Sequence, residues 1–569
     1  MTNWRKSYIR ISLKGEGRVS TMSTEKESAH YFKYLLYLVL GTTLFRLIYI
    51  NIPNLAPQEA YYWNYSHHLA LSYFDHPPIL AWLIYIFTYL GGQSEFFVRI
   101  ACVLISAGLT YLTYLIGKLL FDPKVGFYSA LLLNSILIFT LGAIIATPDT
   151  PMIFFWVLSF YLFLKLILTQ KKKWWYLLGI STGLALLSKY TAIFILVSAF
   201  LYLLFSQQNR KWLVTKEPYL ALVLAILVFS PVIIWNAQNN WASFLFQSSR
   251  RAGELGSFSS RHFFGYWGSQ LGMVSPLIYI CLIYAVIKSG IIGFRRKMMS
   301  TLSPHPSPLP KGEREFPPNP PMDSTMFNPK DFTSFNLPRG EREFAENEKF
   351  LLCFCWSFPI ILFFSLLSAE YWVKINWVSA GYFSSSIAGV SLLFKFLEKG
   401  KRWIKTFGIC GIIVSLLFVA VAHILPIIKF VPVSPSLDTI TGWRELTERV
   451  EKEKSTMREG TIVIGYGYKV PSEIAFYTQC ETYSNNIVGE NGLQFDFWSK
   501  PNDFIGKDAI FIYDQREKYK DPERLKNFFT SVEELESLKI YRGGRVLTTF
   551  HIFKCCEYRG QKSNSEFLK

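Results

Sequence analysis

The stretch "WWYLLGISTGLALLSKYTAIFILVSAFLYLLF" (174–205) holds 32 residues, nearly all apolar, interrupted near the middle by Ser188-Lys189-Tyr190. A hydrocarbon core of ~30 Å takes about 20 helical residues, so the run is too long for one crossing and too short for two full ones without a tight return. A lysine near the centre of a membrane helix costs about 2.5–3.5 kcal/mol, so Lys189 belongs at a break between two crossings. "KKK" (171–173) precedes the run, and Arg210 and Lys211 follow it. Both outer ends of this pair therefore return to one side, and the "SKY" turn faces the other.

The same pattern extends along the chain. Of its 569 residues, 51% are hydrophobic, 17% aromatic and only 18% charged, short of the quarter charged that a soluble domain carries. Eleven spans are predicted, at about 32–52, 97–119, 125–146, 152–169, 174–188, 191–206, 218–236, 263–290, 350–368, 378–397 and 403–428. "ILAWLIYIFTYLGG" (79–92), after Pro77-Pro78, is too short to cross and reads as an interfacial or re-entrant helix. The fold class is thus a polytopic α-helical membrane protein with about eleven transmembrane helices. The net charge of +18 sits between apolar runs, which reflects membrane topology and not a nucleic-acid partner. No short apolar segment precedes a small-residue cleavage site near the N-terminus.

Charge sets the orientation. Lys118 and Lys124, "KKK" (171–173), Arg210, Lys211 and Lys216, "RRK" (295–297) and "EKGKR" (398–402) fall on one side with the basic N-terminus. The positive-inside rule makes that side cytoplasmic. The complementary side receives "PQEAYYWNYSHHLALSYFDHPP" (57–78), "TPDTP" (147–151), "SKY", the loop after Trp235, "AEYWVKINW" (369–377) and everything after Pro426.

The resulting organisation has a cytoplasmic N-terminal segment (1–31), expected to be disordered, and a transmembrane core (32–292) whose first exoplasmic loop is 53–96. A cytoplasmic insert (293–348) follows, then further transmembrane helices (349–429) and a soluble exoplasmic α/β domain (430–569). The insert is rich in Pro, Ser and charge, a composition expected to be disordered. Within it "LPKGERE" (309–315) recurs as "LPRGERE" (337–343), and "LKGEGR" (13–18) echoes both. These copies read as inserted repetitive sequence, and because one precedes Met22, that residue is an alternative start. In the tail, "TIVIG" (461–465) and "DAIFIYD" (508–514) read as buried strands and "PSEIAFYTQ" (471–479) as a helix. "GYGYKV" (465–470) reads as a strand-to-helix turn, not a phosphate loop.

The outer face gathers chemistry. Glu59, Asp75 and Asp149 are candidate general bases or metal ligands, since a partly desolvated carboxylate can deprotonate a hydroxyl or amine. Asp149 is also placed to cap the helix beginning at Pro151. His76, Lys189, Arg250, Arg251 and Lys374 are cations on the side that the charge bias disfavours, and a phosphate at the membrane edge calls for such groups; lipid phosphates are the plainer alternative partner. Arg46 and Arg99 are expected to snorkel from span ends, and His67 and His68 to be solvated. Most of the aromatic residues fit an interfacial belt. Of eight cysteines, Cys102, Cys281, Cys353, Cys355 and Cys410 fall in spans. Cys480, Cys555 and Cys556 fall in the tail, where an oxidising compartment would permit one disulfide from Cys480; the spacing does not suggest zinc.

Taken in order, "EAYYW…SYFDHPP", "TPDTPMIFFW", "LALLSKYTAIF", "WNAQNNWASFLFQSSR" and "NW…GY" resemble the bacterial membrane glycosyltransferases of the protein-mannosyltransferase type. These are family 39-like members of the C-type glycosyltransferase superfamily, related to the aminoarabinose and galacturonic acid transferases of lipid A. The resemblance runs from about Pro53 to Tyr382, and "GWREL" (442–446) with "SEIAFYT" (472–478) extends it into the tail. It implies a C-type glycosyltransferase fold and inverting transfer of a sugar from a polyprenyl-phosphate donor at the exoplasmic face. Asp75 then matches the acid of a tyrosine–phenylalanine–acid motif that helps bind metal in some relatives. His76 stands where a lipid A relative has a phosphate-contacting lysine. Lys189, Tyr190, Asn236, Arg250, Lys374 and Asp149 become substrate-binding candidates. One departure is that Gln58-Glu59 replaces the family's Asp-Glu, and a Gln takes no proton, which leaves Asp75 or Glu59 as catalytic base.

The expected partners are a polyprenyl-phosphate sugar donor, membrane lipid and an acceptor glycolipid, glycan or protein, with a divalent metal as the one possible cofactor. Two rivals stand beside sugar transfer. A polysaccharide polymerase or ligase would use a lipid-diphosphate oligosaccharide at a similar site. A lipid-linked sugar transporter would call for mid-span ionisable groups and inverted repeats, and no such repeat is evident.

Overall fold

The computed structural model describes residues 3–250, 256–302, 344–517 and 522–561. The insert's two repeat copies and Arg251 lie outside the described residues, and the side chains of 3–24, 249–250 and 296–302 lie outside them too. Among the described residues, eight helices are long and apolar enough to cross a membrane. They are joined by shorter apolar helices, including Ile79–Gly91 and Tyr190–Phe205. Four opening helices frame the site: α1 (Asn3–Tyr49), α2 (Pro57–His67), α3 (Ile79–Gly91) and α4 (Glu95–Leu120).

The expected spans differ from the observed helices at two places, each for a local reason. The span expected over 125–146 is broken into Pro123–Leu133 and Leu137–Gly142. Between them the Asn134 amide donates to Ala130 O and the Ser135 hydroxyl to Leu131 O; such local bonds compete with a continuing helix. The span expected over 263–290 is two helices, Ser260–Val274 and Pro276–Leu302. Ser275, with φ +74°, turns the chain before Pro276, a position from which proline excludes helical geometry.

The "SKY" break is as expected. Helix Lys173–Ser188 ends at Lys189, which is extended (φ −162°, ψ 140°), and Phe194–Phe205 resumes after one 3₁₀ turn. Glycine holds this region tightly against Glu217–Gln238: a Cβ on Gly179 would lie 2.4 Å from Ala221 O. Small residues permit that approach, and close packing is what binds helices together in lipid.

The tail carries a five-stranded mixed sheet: β1 (Ile462–Gly465), β2 (Ala509–Asp514), β3 (Phe529–Glu534), β4 (Leu538–Arg542) and β5 (Arg545–Tyr558). The strand order is β1-β2-β5-β3, with β4 also pairing β5. β1 and β2 are parallel, which requires a crossover, and helix Lys469–Thr478 lies within it. β4 and β5 join through Gly543-Gly544, both with positive φ (57° and 73°), the conformation that a tight hairpin turn demands. The eight cysteines are all free, so the disulfide allowed for Cys480 is not formed.

Candidate active site at a junction of two cavities

The outer-side segments named in the sequence converge on two adjoining cavities, of about 420 Å³ and about 510 Å³. His76, Lys189, Lys374 and Trp377 line both and therefore form their junction. The smaller cavity is walled by Phe194, Phe363, Phe364 and Leu367 and opens beside Tyr190 and Gln247. The larger carries Gln58, Tyr62, Asp149 and Asn376. Three separate sequence segments thus supply one cationic junction between the two cavities.

Asp149 does not cap its helix, contrary to expectation. Pro148 occupies the cap position without a side-chain bond, and the Asp149 carboxylate turns sideways. Lys189 Nζ lies 2.7 Å from its Oδ1, and Asn376 Nδ2 donates to Oδ2 at 2.6 Å. Asp149 and Lys189 are both about 6% exposed, so the pair is desolvated. Removing one partner of such a pair typically costs about 3–5 kcal/mol. Tyr190 stands beside Lys189 with its hydroxyl 2.7 Å from Ser243 Oγ.

Asp75 follows Phe74 in the loop before α3. The Tyr65 hydroxyl donates to its Oδ1, and Gln247 Nε2 donates to its backbone carbonyl at 2.9 Å. Burial raises its carboxyl above the ordinary aspartate range, while the Tyr65 hydrogen bond and the charge of Lys374 oppose that rise. The neighbouring His76 ring meets Tyr62 edge-on at 5.6 Å.

Glu59 has another role from the one expected of a base. Arg99 clamps it through Nε at 2.8 Å and Nη2 at 2.6 Å. Ala146 N donates to Oε1 and Ala56 N to Oε2, the latter in the capping pattern of α2. With four donors and no exposure, Glu59 ties the start of α2 to α4 and to the approach of "TPDTP". Nor does Arg99 snorkel: it is 2% exposed and also bonds the carbonyls of Ile50, Pro53 and Asn54. Arg46 is buried likewise, donating to Ser106 Oγ and Asn134 Oδ1. The lipid-facing route was not needed because polar partners lie on the helices they pack against.

Asn236 points into its own loop. Its amide donates to Val232 O, and its Oδ1 accepts from Phe244 N at 3.1 Å. It shapes the segment that carries Gln247 and lines neither junction cavity. Arg250 ends a short π-helical turn, Phe246–Arg250, next to Gln247 and Ser248. Among the described residues no three His, Cys, Asp or Glu side chains gather as a metal-ligand set.

Sequence reasoning missed the tail's share of this site. Gln494 accepts from Phe74 N at 2.6 Å through its side chain, and its own N–H donates to the Tyr61 hydroxyl at 3.1 Å. Tyr468 packs 4.7 Å from Tyr61, and Phe497 lies 5.6 Å from Phe74 and 5.3 Å from Trp235. Arg444 pairs with Glu95. The aromatic richness of "GLQFDFW" (492–498) was the available signal.

This architecture defines a polytopic membrane protein of the C-type glycosyltransferase fold. It superposes with ArnT of Cupriavidus metallidurans, solved bound to undecaprenyl phosphate, with a TM-score of 0.57, 13% identity, and 93% of this chain and 99% of that one covered. Residues 75–235 match the family model of dolichyl-phosphate-mannose-protein mannosyltransferases. Among curated proteins the chain is 26% identical over 274 residues to lipid A galacturonosyltransferase RgtD of Rhizobium johnstonii, covering 47% of this chain and 57% of that one. It is 32% identical over 184 residues to the undecaprenyl phosphate-alpha-4-amino-4-deoxy-L-arabinose arabinosyl transferase of Yersinia pestis, covering 31% and 33%. The aligned part thus spans little more than half of the first relative's length and a third of the second's.

Proposed function

We propose that the chain is a membrane glycosyltransferase that moves a sugar from a polyprenyl-phosphate donor to an acceptor glycolipid, glycan or protein. The observation that carries this reading is the His76–Lys189–Lys374 junction between a chamber walled by Phe194, Phe363, Phe364 and Leu367 and a larger one that carries Asp149 and Asn376. A prenyl chain suits walls of Phe194, Phe363, Phe364 and Leu367, and its phosphate suits the cations at their polar end. The acceptor then enters by the larger cavity.

In this reading the acceptor oxygen or nitrogen attacks the anomeric carbon from the face opposite the phosphate. Its bond to carbon forms as the bond from carbon to phosphate oxygen breaks, and configuration inverts. Asp75 takes the acceptor proton. The phosphate leaves with the bonding electrons, and Lys374, His76 and the Asp149-oriented Lys189 stabilise its added charge.

The reading places the protein in a bacterial cytoplasmic membrane with the junction and tail exoplasmic, on the strength of the basic loops at the opposite end. Cys480 is the exposed cysteine of the tail. A membrane-impermeant maleimide should label it in intact spheroplasts and not in Cys480→Ser; labelling only after lysis overturns the orientation. The reaction itself is tested with purified protein, undecaprenyl-phosphate monosaccharides and lipid A. Turnover supports the proposal, and a strict need for a diphosphate-linked oligosaccharide replaces it with ligase chemistry.

A further inference from the structure

A separate cavity of about 210 Å³ opens between the C-terminal end of α2 and the tail domain. Its working residues are Asn64, His67, His68, Glu481, Tyr483 and Trp498. α2 serves both places: Gln58 and Tyr62 line the catalytic cavity, and Asn64 lines this one. Two residues of α-helix turn the direction by about 200°, so Tyr62 and Asn64 face opposite ways.

Asn64 is 7% exposed, and its Nδ2 makes no hydrogen bond within the protein. A buried amide donor without a partner is uncommon and asks for a ligand. Nearby, His68 stacks on the Trp498 ring at 4.5 Å and 23°, and His67 leans on Trp63 at 4.0 Å. Partial burial lowers both imidazoles below their ordinary range; the His67 Nδ1 is held by Trp63 O at 3.2 Å, which leaves its Nε2 as the acceptor facing a ligand.

Charge selects the ligand class. Among the described residues no Lys or Arg lines the cavity, and Glu481 is its one carboxylate. A phosphate or carboxylate ligand would meet only like charge. A hydroxyl-rich neutral molecule would instead find an amide, two imidazoles and the Tyr483 hydroxyl as an acceptor, its own hydrogen donated to Glu481 at 3.0 Å, with aromatic faces for its C–H edges. We infer that this interdomain cavity is a binding subsite for one neutral saccharide unit, remote from the reacting centre and suited to an acceptor that already carries sugar. The inference stands on this cavity's own residues and survives if the transfer reaction proves different.

The test uses the full chain in a zwitterionic, sugar-free detergent and saturation-transfer NMR with the methyl glycosides of glucose, mannose, galactose and N-acetylglucosamine. At least one glycoside should receive saturation in the parent protein. The signal should fall by more than half in Trp498→Ala, Asn64→Leu and His67→Ala, the last a change at an exposed side chain, and persist in Lys189→Ala. Silence from all four glycosides overturns the inference. So does a signal unchanged by the three cavity substitutions, or one lost in Lys189→Ala while Trp498→Ala retains it. Equal saturation of glucose 6-phosphate overturns the neutral-ligand assignment.

Discussion

Lys189 Nζ sits 2.7 Å from Asp149 Oδ1 across 40 residues of sequence, and Asn376 holds the other carboxylate oxygen. The pair joins the break in the longest apolar run to the "TPDTP" turn and to the loop before the helix Ser379–Glu398. Asp149→Asn would leave the Lys189 ammonium buried beside a neutral amide and free to swing. We expect a loss of about 10²-fold in kcat/KM, the usual effect of misplacing one group that stabilises leaving charge. Asp149→Glu should recover part of it. Steady-state assays with a polyprenyl-phosphate sugar check both.

Glu59 and Asp75 separate cleanly in their expected effects. Glu59→Gln strips a fully buried bidentate partner from Arg99, so it should destabilise by about 3–5 kcal/mol and lower Tm markedly. Asp75→Asn should leave Tm within a few degrees of the parent and abolish most turnover. Thermal melts alongside transfer assays decide the matter; the reverse pattern would make Glu59 the catalytic base.

The pH profile carries its own sign. As the proposed base, Asp75 must be ionised to accept a proton, and burial raises its carboxyl while the Tyr65 hydroxyl holds it down. Activity should therefore rise along an acid limb lying above the ordinary aspartate range. Tyr65→Phe removes the restraining hydrogen bond and should move that limb to still higher pH. A limb that moves to lower pH in Tyr65→Phe would exclude Asp75 as its origin.

Glu473 offers a stability test in the tail. It is fully buried on the helix Lys469–Thr478, both its carboxylate oxygens lack partners, and burial raises its carboxyl well above the ordinary glutamate range. The native state then binds a proton that the unfolded chain releases near pH 4.5, so stability from this group is fullest below that pH and declines as pH climbs toward the native value. Glu473→Gln should flatten the decline: melts between pH 5 and 8 should diverge, with the variant the more stable at the alkaline end.

Much of this was legible in the sequence because membranes impose simple rules. Apolar length and lysine placement located the "SKY" break and put Asp75, His76, Asp149, Lys189 and Lys374 at one end of the bundle. What escaped was decided by partners distant in sequence. Arg99 and Arg46 look like span-end cations until Glu59, Ser106 and Asn134 arrive from other helices. Asn134 and Ser135 break a helix whose composition is continuously apolar. Asp149 sits in a fine capping position and is drawn away by Lys189. The hairpin at Gly543-Gly544 was written locally, but the docking of Gln494 against the first loop was not.

That docking has a temporal consequence. Gln494 meets Tyr61 and Phe74 over separations of 433 and 420 residues, so the first loop's packing partner is synthesised long after the loop itself. A chain still on the ribosome carries that loop bare, and the surroundings of Asp75 and His76 reach their final packing only when the last globule to be made docks against them.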